Sequence, residues 1–189
     1  MTRVQQKAKT RNGILEASIK LFKIHGIEHT KIAEIAKEAN VSVGTFYVHF
    51  KSKEDIVSAI YYEGFNHFMN EKIDQIETTG LSLKEILLKV GIFELQFVEN
   101  VGLEITTAAF IANLRINFEI PGNHFKNRTF SEKIQSLIVN DVESSEQNSQ
   151  ILFEEFETIV RGIMLTWCFK NATMSIVDFG APILKKYIL

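Results

Sequence analysis

TKIAEIAKEANVSVGTFYVHFKSKED, residues 30–55, reads as two short helices, a tight turn and the capped start of a third, longer helix. Ile32, Ile35, Ala36 and Ala39 recur at three- and four-residue steps, which gives a short helix one buried stripe. Thr30 stands at an N-cap position, although Ala33 at N3 denies it the acidic half of a capping box. Asn40 falls where the chain must turn sharply, and asparagine tolerates the left-handed conformation this needs. Ser42 caps a second helix, Val43 to His49, and Ser52-Lys53-Glu54-Asp55 forms a fuller box for the third. Helix, short turn, helix is the arrangement that lays its second member in the major groove of DNA.

Charge supports that use. Residues 1–53 hold ten Lys/Arg against four Asp/Glu, and residues 54–189 hold eleven against nineteen. A basic head on an acidic body suits an anionic polymer at one end only. Thr30, Thr45, Tyr47, His49, Lys51 and Lys53 offer hydroxyl, ring N–H and ammonium donors to phosphate oxygens, which fix register without reading sequence. Base reading falls to Ser42, Val43, Gly44, Thr45 and Tyr47 on the open side of the second helix. There Val43 and the Thr45 methyl can meet a thymine methyl, and Gly44 allows close approach. Phe46 and Phe50 are expected to seat that helix on its own core.

On the N-terminal side, residues 1–9 form a partly ordered basic arm that continues into the first helix. From about Thr10 the stripe Ile14, Ala17, Leu21 and Phe22 marks a first helix that Gly26 ends. Beyond Lys53 the pattern runs helical without a breaker to about Thr79-Gly80, an uninterrupted connector. Gly64 within it is either a soft point or a close helix contact. Further helices follow at Ser82 (cap, with Glu85 at N3) to about Glu99, Leu103 to about Asn117, and Arg128 to about Val142. Pro121-Gly122-Asn123 is a loop, and residues 143–149 are a polar linker. Leu152, Phe156, Ile159, Ile163 and Trp167 share one face of the next helix, with Phe153, Val160, Met164 and Cys168 beside it. A helix apolar over so wide an arc is buried in its own domain or shared with a partner. In the final segment Pro182 is expected either to kink the helix or to start it. The whole is an all-α chain with a head over 1–52 and a body over 53–189.

As enzyme chemistry the sequence is quiet: no phosphate loop, no G-x-S-x-G elbow, no paired Cys or His at ligand spacing on one helix. His25 and His29 are four apart, but Gly26 breaks their register; His67 and His124 stand alone. Cys168 on an apolar face is inert packing and cannot form an intrachain disulfide. No cofactor, metal or catalytic residue is expected. No run long and apolar enough for a membrane span or a secretory signal is present, so no membrane partner and a cytoplasmic location are expected. Fifteen Phe, four Tyr and one Trp furnish candidates for an apolar effector pocket in the body: Tyr61, Phe65, Phe68, Met69, Phe93, Phe97, Phe110 and Trp167.

Residues 10–57 resemble the DNA-binding domain of the TetR family of one-component transcriptional regulators. The resemblance is carried in register by Ile14-Leu15-Glu16-Ala17, Leu21-Phe22, Gly26, Thr30, Ile32-Ala33-Glu34-Ile35-Ala36, Ala39, Val41-Ser42, Gly44-Thr45-Phe46-Tyr47, His49-Phe50, Lys51-Ser52-Lys53 and Glu54. Val43 departs from it, standing where such proteins often carry a basic or polar residue. The body resembles the family only in size and helical texture. The resemblance implies a homodimeric repressor of a near-palindromic DNA operator, released by a small lipophilic effector, with Tyr47 on the DNA. It also implies pairing of the last two helices with their copies, through Leu152, Phe156, Ile159, Ile163, Ile183 and Tyr187. A helical carrier or enzyme with a vestigial head is the competing expectation, and the retained basic head argues against it.

Overall fold

The computed structural model describes residues 2–119, 129–141 and 146–188, and every regular element among them is a helix. The head holds α1 (Arg3–His25), α2 (Ile32–Glu38) and α3 (Val43–His49). The connector comprises α4 (Lys53–Ala59), a π-helical turn (Ile60–Gly64) and α5 (Phe65–Asp74). The body holds α6 (Leu83–Val101), α7 (Leu103–Glu119), α8 (Thr129–Asp141), α9 (Glu146–Phe169) and α10 (Ile176–Ile188). The expected loop at Pro121–Asn123 and His124 lie outside the described residues, as does the linker up to residue 145; residues 146–149 belong to α9.

The basic arm is not an arm but the first turns of α1. Thr2 caps it, accepting the Gln5 amide, while the Gln5 side chain accepts the Thr2 amide. Gly26, at φ 81°, ends the helix where any Cβ would be strained. Between α2 and α3 Asn40 takes φ 55°, with Asn40 N–H donating to Lys37 O at 3.1 Å and Val41 N–H to Ala36 O at 2.9 Å. This is a Schellman close, satisfying two end carbonyls in one sharp turn.

Two expectations about caps change. Lys31, not Thr30, is the N-cap of α2, and its amide donates to the Glu34 carboxylate at 3.0 Å. Ser52 caps α4 as expected, accepting Asp55 N–H, but the Asp55 carboxylate takes the Lys51 amide at 2.9 Å rather than that of Ser52. Ser82 and Glu85 close their box on α6 in both directions.

The connector is not one uninterrupted helix. A π turn sits in its middle and the helix ends at Asp74, not near Thr79-Gly80. Three successive side chains of that turn leave in three directions. Tyr61 goes into the core, the Tyr62 hydroxyl donates to Asn113 Oδ1 on α7, and Glu63 reaches Arg11 on α1. α10 neither starts at Pro182 nor ends there: it runs through the proline, whose missing N–H leaves Asp178 O without that helical bond. α10 packs on α6 and α9, at so close an approach that Gly180 is required and Gly91 has little room for a side chain. A Cβ on Gly180 would lie 2.4 Å from Leu95 and 2.7 Å from Ile163.

Candidate nucleic-acid interface and effector cavity

α3 is seated by its aromatic face. Phe46 and Phe50 are 0% and 1% exposed, buried among residues that include Ile14, Phe22, Ile35 and Ile56. Ser42 Oγ accepts the Thr45 amide at 3.0 Å and lies 2.8 Å from the Thr45 hydroxyl, so both reader hydroxyls also stiffen the helix N-terminus. With the phenyl rings turned inward, Ser42, Val43, Gly44 and Tyr47 are left exposed and Thr45 half-exposed. Val48, which sequence reasoning passed over, is the most exposed apolar side chain on this helix at 71%. Its signal was available: at about 100° per residue, position 48 lies opposite the Phe46/Phe50 face.

The phosphate donors divide. Lys51 is exposed and its side chain free to reach out. Lys53 is not: its ammonium donates to Ile27 O at 2.6 Å and Glu28 O at 3.0 Å, pinning the α1–α2 loop to α4. Thr30 is 1% exposed; its hydroxyl donates to Gly26 O at 2.7 Å and its amide to the same carbonyl at 3.2 Å. The expected phosphate role of that hydroxyl does not fit, because Thr30 is a turn brace turned inward. The His49 side chain is half-buried with Nδ1 enclosed, and loss of solvation, then Lys7 and Arg11, push its pKa below the ordinary 6.5.

Arg11 was missed, because one Lys or Arg among six on α1 reads as solvated charge. Its guanidinium donates to His49 O at 2.7 Å and to both oxygens of Glu63, at 2.8 and 2.5 Å, and lies 4.1 Å from the centre of the Phe50 ring. One side chain thus ties the last turn of α3 to the π turn of the connector.

The aromatic residues proposed for a pocket pack on one another instead. Tyr61 and Phe65 stack at 6.1 Å, Phe97 meets Phe65 at 5.0 Å and Phe68 at 5.6 Å, and Phe110 meets Tyr61 at 6.4 Å. Tyr61, Phe65, Met69, Phe97 and Trp167 are buried, and the Trp167 indole donates to Met174 O at 2.7 Å. Phe68 and Phe93 are half-buried, both within 6 Å of the Lys72 ammonium. A cavity of about 840 Å³ opens elsewhere, between head and body, and none of these eight residues lines it. Its walls are Ile27 and Glu28 of the α1–α2 loop, Glu54 and Val57 of α4, six positions of α7 from Leu103 to Ala112 with Arg115, and Cys168 and Asn171 at the end of α9. Burial raises the Cys168 thiol's pKa, with a weaker opposing hydrogen bond from Thr107, so it is a poor nucleophile at neutral pH. Sequence reasoning overlooked this space because its walls come from four separated segments.

The expected dimer face also divides. Phe156 and Ile163 are 3% and 4% exposed and pack inside one chain against Leu184, Leu95 and the two close glycines. They are core, not seam. Leu152 and Tyr187 are exposed, Ile159 and Ile183 half-exposed, and Leu165 and Phe169, at 40% and 81%, extend the open side of α9. Among the described residues no helix is long and apolar enough to cross a membrane, and no three His, Cys, Asp or Glu side chains gather as a metal site would need.

Residues 14–60 match the family model for bacterial regulatory proteins of the tetR family. The chain is 42% identical over 57 residues to the HTH-type transcriptional regulator AcrR of Shigella flexneri, covering 30% of this chain and 26% of that one. It is 26% identical over 88 residues to the fatty acid metabolism regulator protein of Bacillus subtilis, covering 47% of this chain and 45% of that one. These matches span less than half the length of either relative. Thermus thermophilus FadR, a TetR-family transcriptional repressor solved with lauroyl-CoA, shares the fold over 94% of this chain and 92% of its own. The TM-score is 0.60 at 16% identity. The head therefore carries the tetR-family DNA-binding domain by sequence, and the chain as a whole shares its fold with a solved regulator of that family.

Proposed function

We propose that the chain is a homodimeric repressor that binds a near-palindromic operator and leaves it when a small lipophilic effector binds. The observation that carries the DNA-binding half is the open face of α3: Val43, Tyr47 and Val48 outward, with Ser42 and Thr45 at its capped start. This face suits methyl and permissive hydroxyl contacts in the major groove, flanked by Lys51 on the phosphates. Pairing through the open sides of α9 and α10 would set two such helices about 34–36 Å apart, one turn of B-DNA, which is why the operator is expected to be near-palindromic. Residues 1–52 act as the reader and 53–189 as the sensing and pairing body, in the cytoplasm, without a resident cofactor and without catalysis.

The effector reading rests on the cavity at the junction, which falls within the roughly 300–1,000 Å³ typical of ligand sites. A ligand there touches α1–α2 and α4 on one side and α7 on the other, so it favours whichever head–body spacing accommodates it. α7 also holds the connector through Asn113 and Tyr62, and the next residue, Glu63, holds Arg11 at the end of the recognition helix. Coupling along such a route is typically about 1–3 kcal/mol, or 5- to 150-fold in operator affinity. Selection of bound fragments from genomic DNA tests the reading. Enrichment of inverted repeats with half-sites one turn apart is expected, and recovery of no enriched site would refute it.

A further inference from the structure

Among the described residues, the cavity at the head–body junction carries an excess of negative charge at its mouth. Its floor is apolar, formed by Ile27, Val57, Leu103, Ala108 and Ile111. At its edge stand three carboxylates, Glu28, Glu54 and Glu104, against one guanidinium, Arg115. All four of these side chains are exposed. Lys53, the neighbouring cation, is not among the lining residues; its ammonium lies on the Ile27 and Glu28 carbonyl oxygens. Each carboxylate comes from a different element. Glu104 reaches from α7 to the head loop, where it accepts the Ile27 amide at 2.7 Å. Its other oxygen lies 3.3 Å from where a Cβ on Gly26 would stand. Glu54 is held ionised by the Ser52 hydroxyl and its own backbone amide. The Glu28 carboxylate has no hydrogen bond or ion pair among the described residues, although the residue's backbone carbonyl accepts from Lys53. Three anions against one cation beside an apolar space disfavour an anionic guest and favour a cationic one, by a margin that solvent moderates because the carboxylates are exposed.

We propose that this cavity takes a lipophilic cation, an apolar body carrying a quaternary or protonated amine, with its charge among Glu28, Glu54 and Glu104. The proposal deepens the reading of this cavity as the effector site and rests on it. It sets the chain apart from a relative solved with an acyl-CoA, whose phosphates this rim would oppose. Because Glu28 belongs to the head loop, Glu54 to the connector and Glu104 to α7, a bound cation spans all three and biases their spacing.

The test is calorimetric titration of the full chain, at fixed moderate ionic strength, with three probes of one apolar length below their micelle concentrations. These are decyltrimethylammonium, decanol and decanoate. The cation is expected to bind about tenfold tighter than the alcohol, and decanoate weaker than the alcohol. In the double variant Glu28→Gln/Glu54→Gln the cation falls to the alcohol's affinity while the alcohol's own is unchanged, which also shows that the cavity still forms. Ala108→Phe, which fills the floor, removes binding of all three. Decanoate binding as tightly as the cation would overturn the proposal. So would a preference that survives the double variant, or no binding by any probe. These outcomes do not depend on DNA: a chain that binds the cation but enriches no operator overturns the regulator reading alone.

Discussion

Arg11 shows how much one side chain can decide. Its bonds to the His49 carbonyl and Glu63 are partly exposed, so the ion pair itself stabilises little. The guanidinium's place over the Phe50 ring and on a helix-end carbonyl is what ties the end of α3 to α1. Arg11→Ala is expected to lower head stability by about 1–2 kcal/mol and weaken operator binding, while Arg11→Lys restores charge but not register. Thermal melts beside operator titrations check this, and a lysine variant as good as wild type would contradict it. The two lysines separate by the same logic. Lys51→Ala should reduce the salt slope of DNA binding by about one unit, whereas Lys53→Ala should act through the loop it pins and leave the slope nearly unchanged. His49 gives a pH signature. Its folded-state pKa lies below the ordinary 6.5, so the folded head binds fewer protons than the unfolded chain just below that pH. Its contribution is therefore full above about 6.5 and is lost as pH falls from there towards the lowered folded value. The depressed pKa values of Glu54 and Glu85 act only below the ordinary 4.5. Melting at pH 7.5 and 5.5 should therefore show a drop that His49→Gln makes smaller.

Among the elements, the π turn and α10 carry the arrangement. From three consecutive residues of the π turn the connector addresses the core, α7 and α1. α10 is held by the closeness that Gly180 permits. Gly180→Ala removes no contact and raises helix propensity, yet its methyl meets Leu95 and Ile163 well inside contact distance. Over-packing of this kind typically costs about 1–3 kcal/mol. Denaturant melts should show the loss; a more stable variant would mean α10 shifts freely on α6.

For the whole molecule, core and seam lie on the same helix. Phe156→Glu places a charge in the interior and should unfold the chain, so it cannot report on pairing. Leu165→Glu and Phe169→Glu alter side chains already open to solvent. They are expected to leave the melting of the separated chain unchanged while shifting sedimentation from dimer to monomer and weakening operator binding in step. A dimer of undiminished strength in both variants would move the seam away from this side of α9.

The sequence alone determined what depends on local pattern. The buried stripe of α2, the left-handed turn at Asn40, the Ser42, Ser52 and Ser82 caps and the inward faces of Phe46 and Phe50 all follow from spacing and backbone chemistry within a few residues. Even Val48 could have been read from helical periodicity. Tertiary structure decided what depends on which distant groups meet. Thr30 and Lys53 have the chemistry of phosphate donors, but carbonyls of the α1–α2 loop claim both. Arg11 gains its role only from residues 38 and 52 positions away. The wide apolar arc of α9 was legible, yet its division into Phe156 and Ile163 within and Leu165 and Phe169 without is set by α6 and α10, and periodicity carries no record of which neighbour arrives. For the same reason aromatic content pointed to a pocket where the rings in fact fill their own space. The cavity lies where four separated segments fail to meet, and no local pattern encodes a gap.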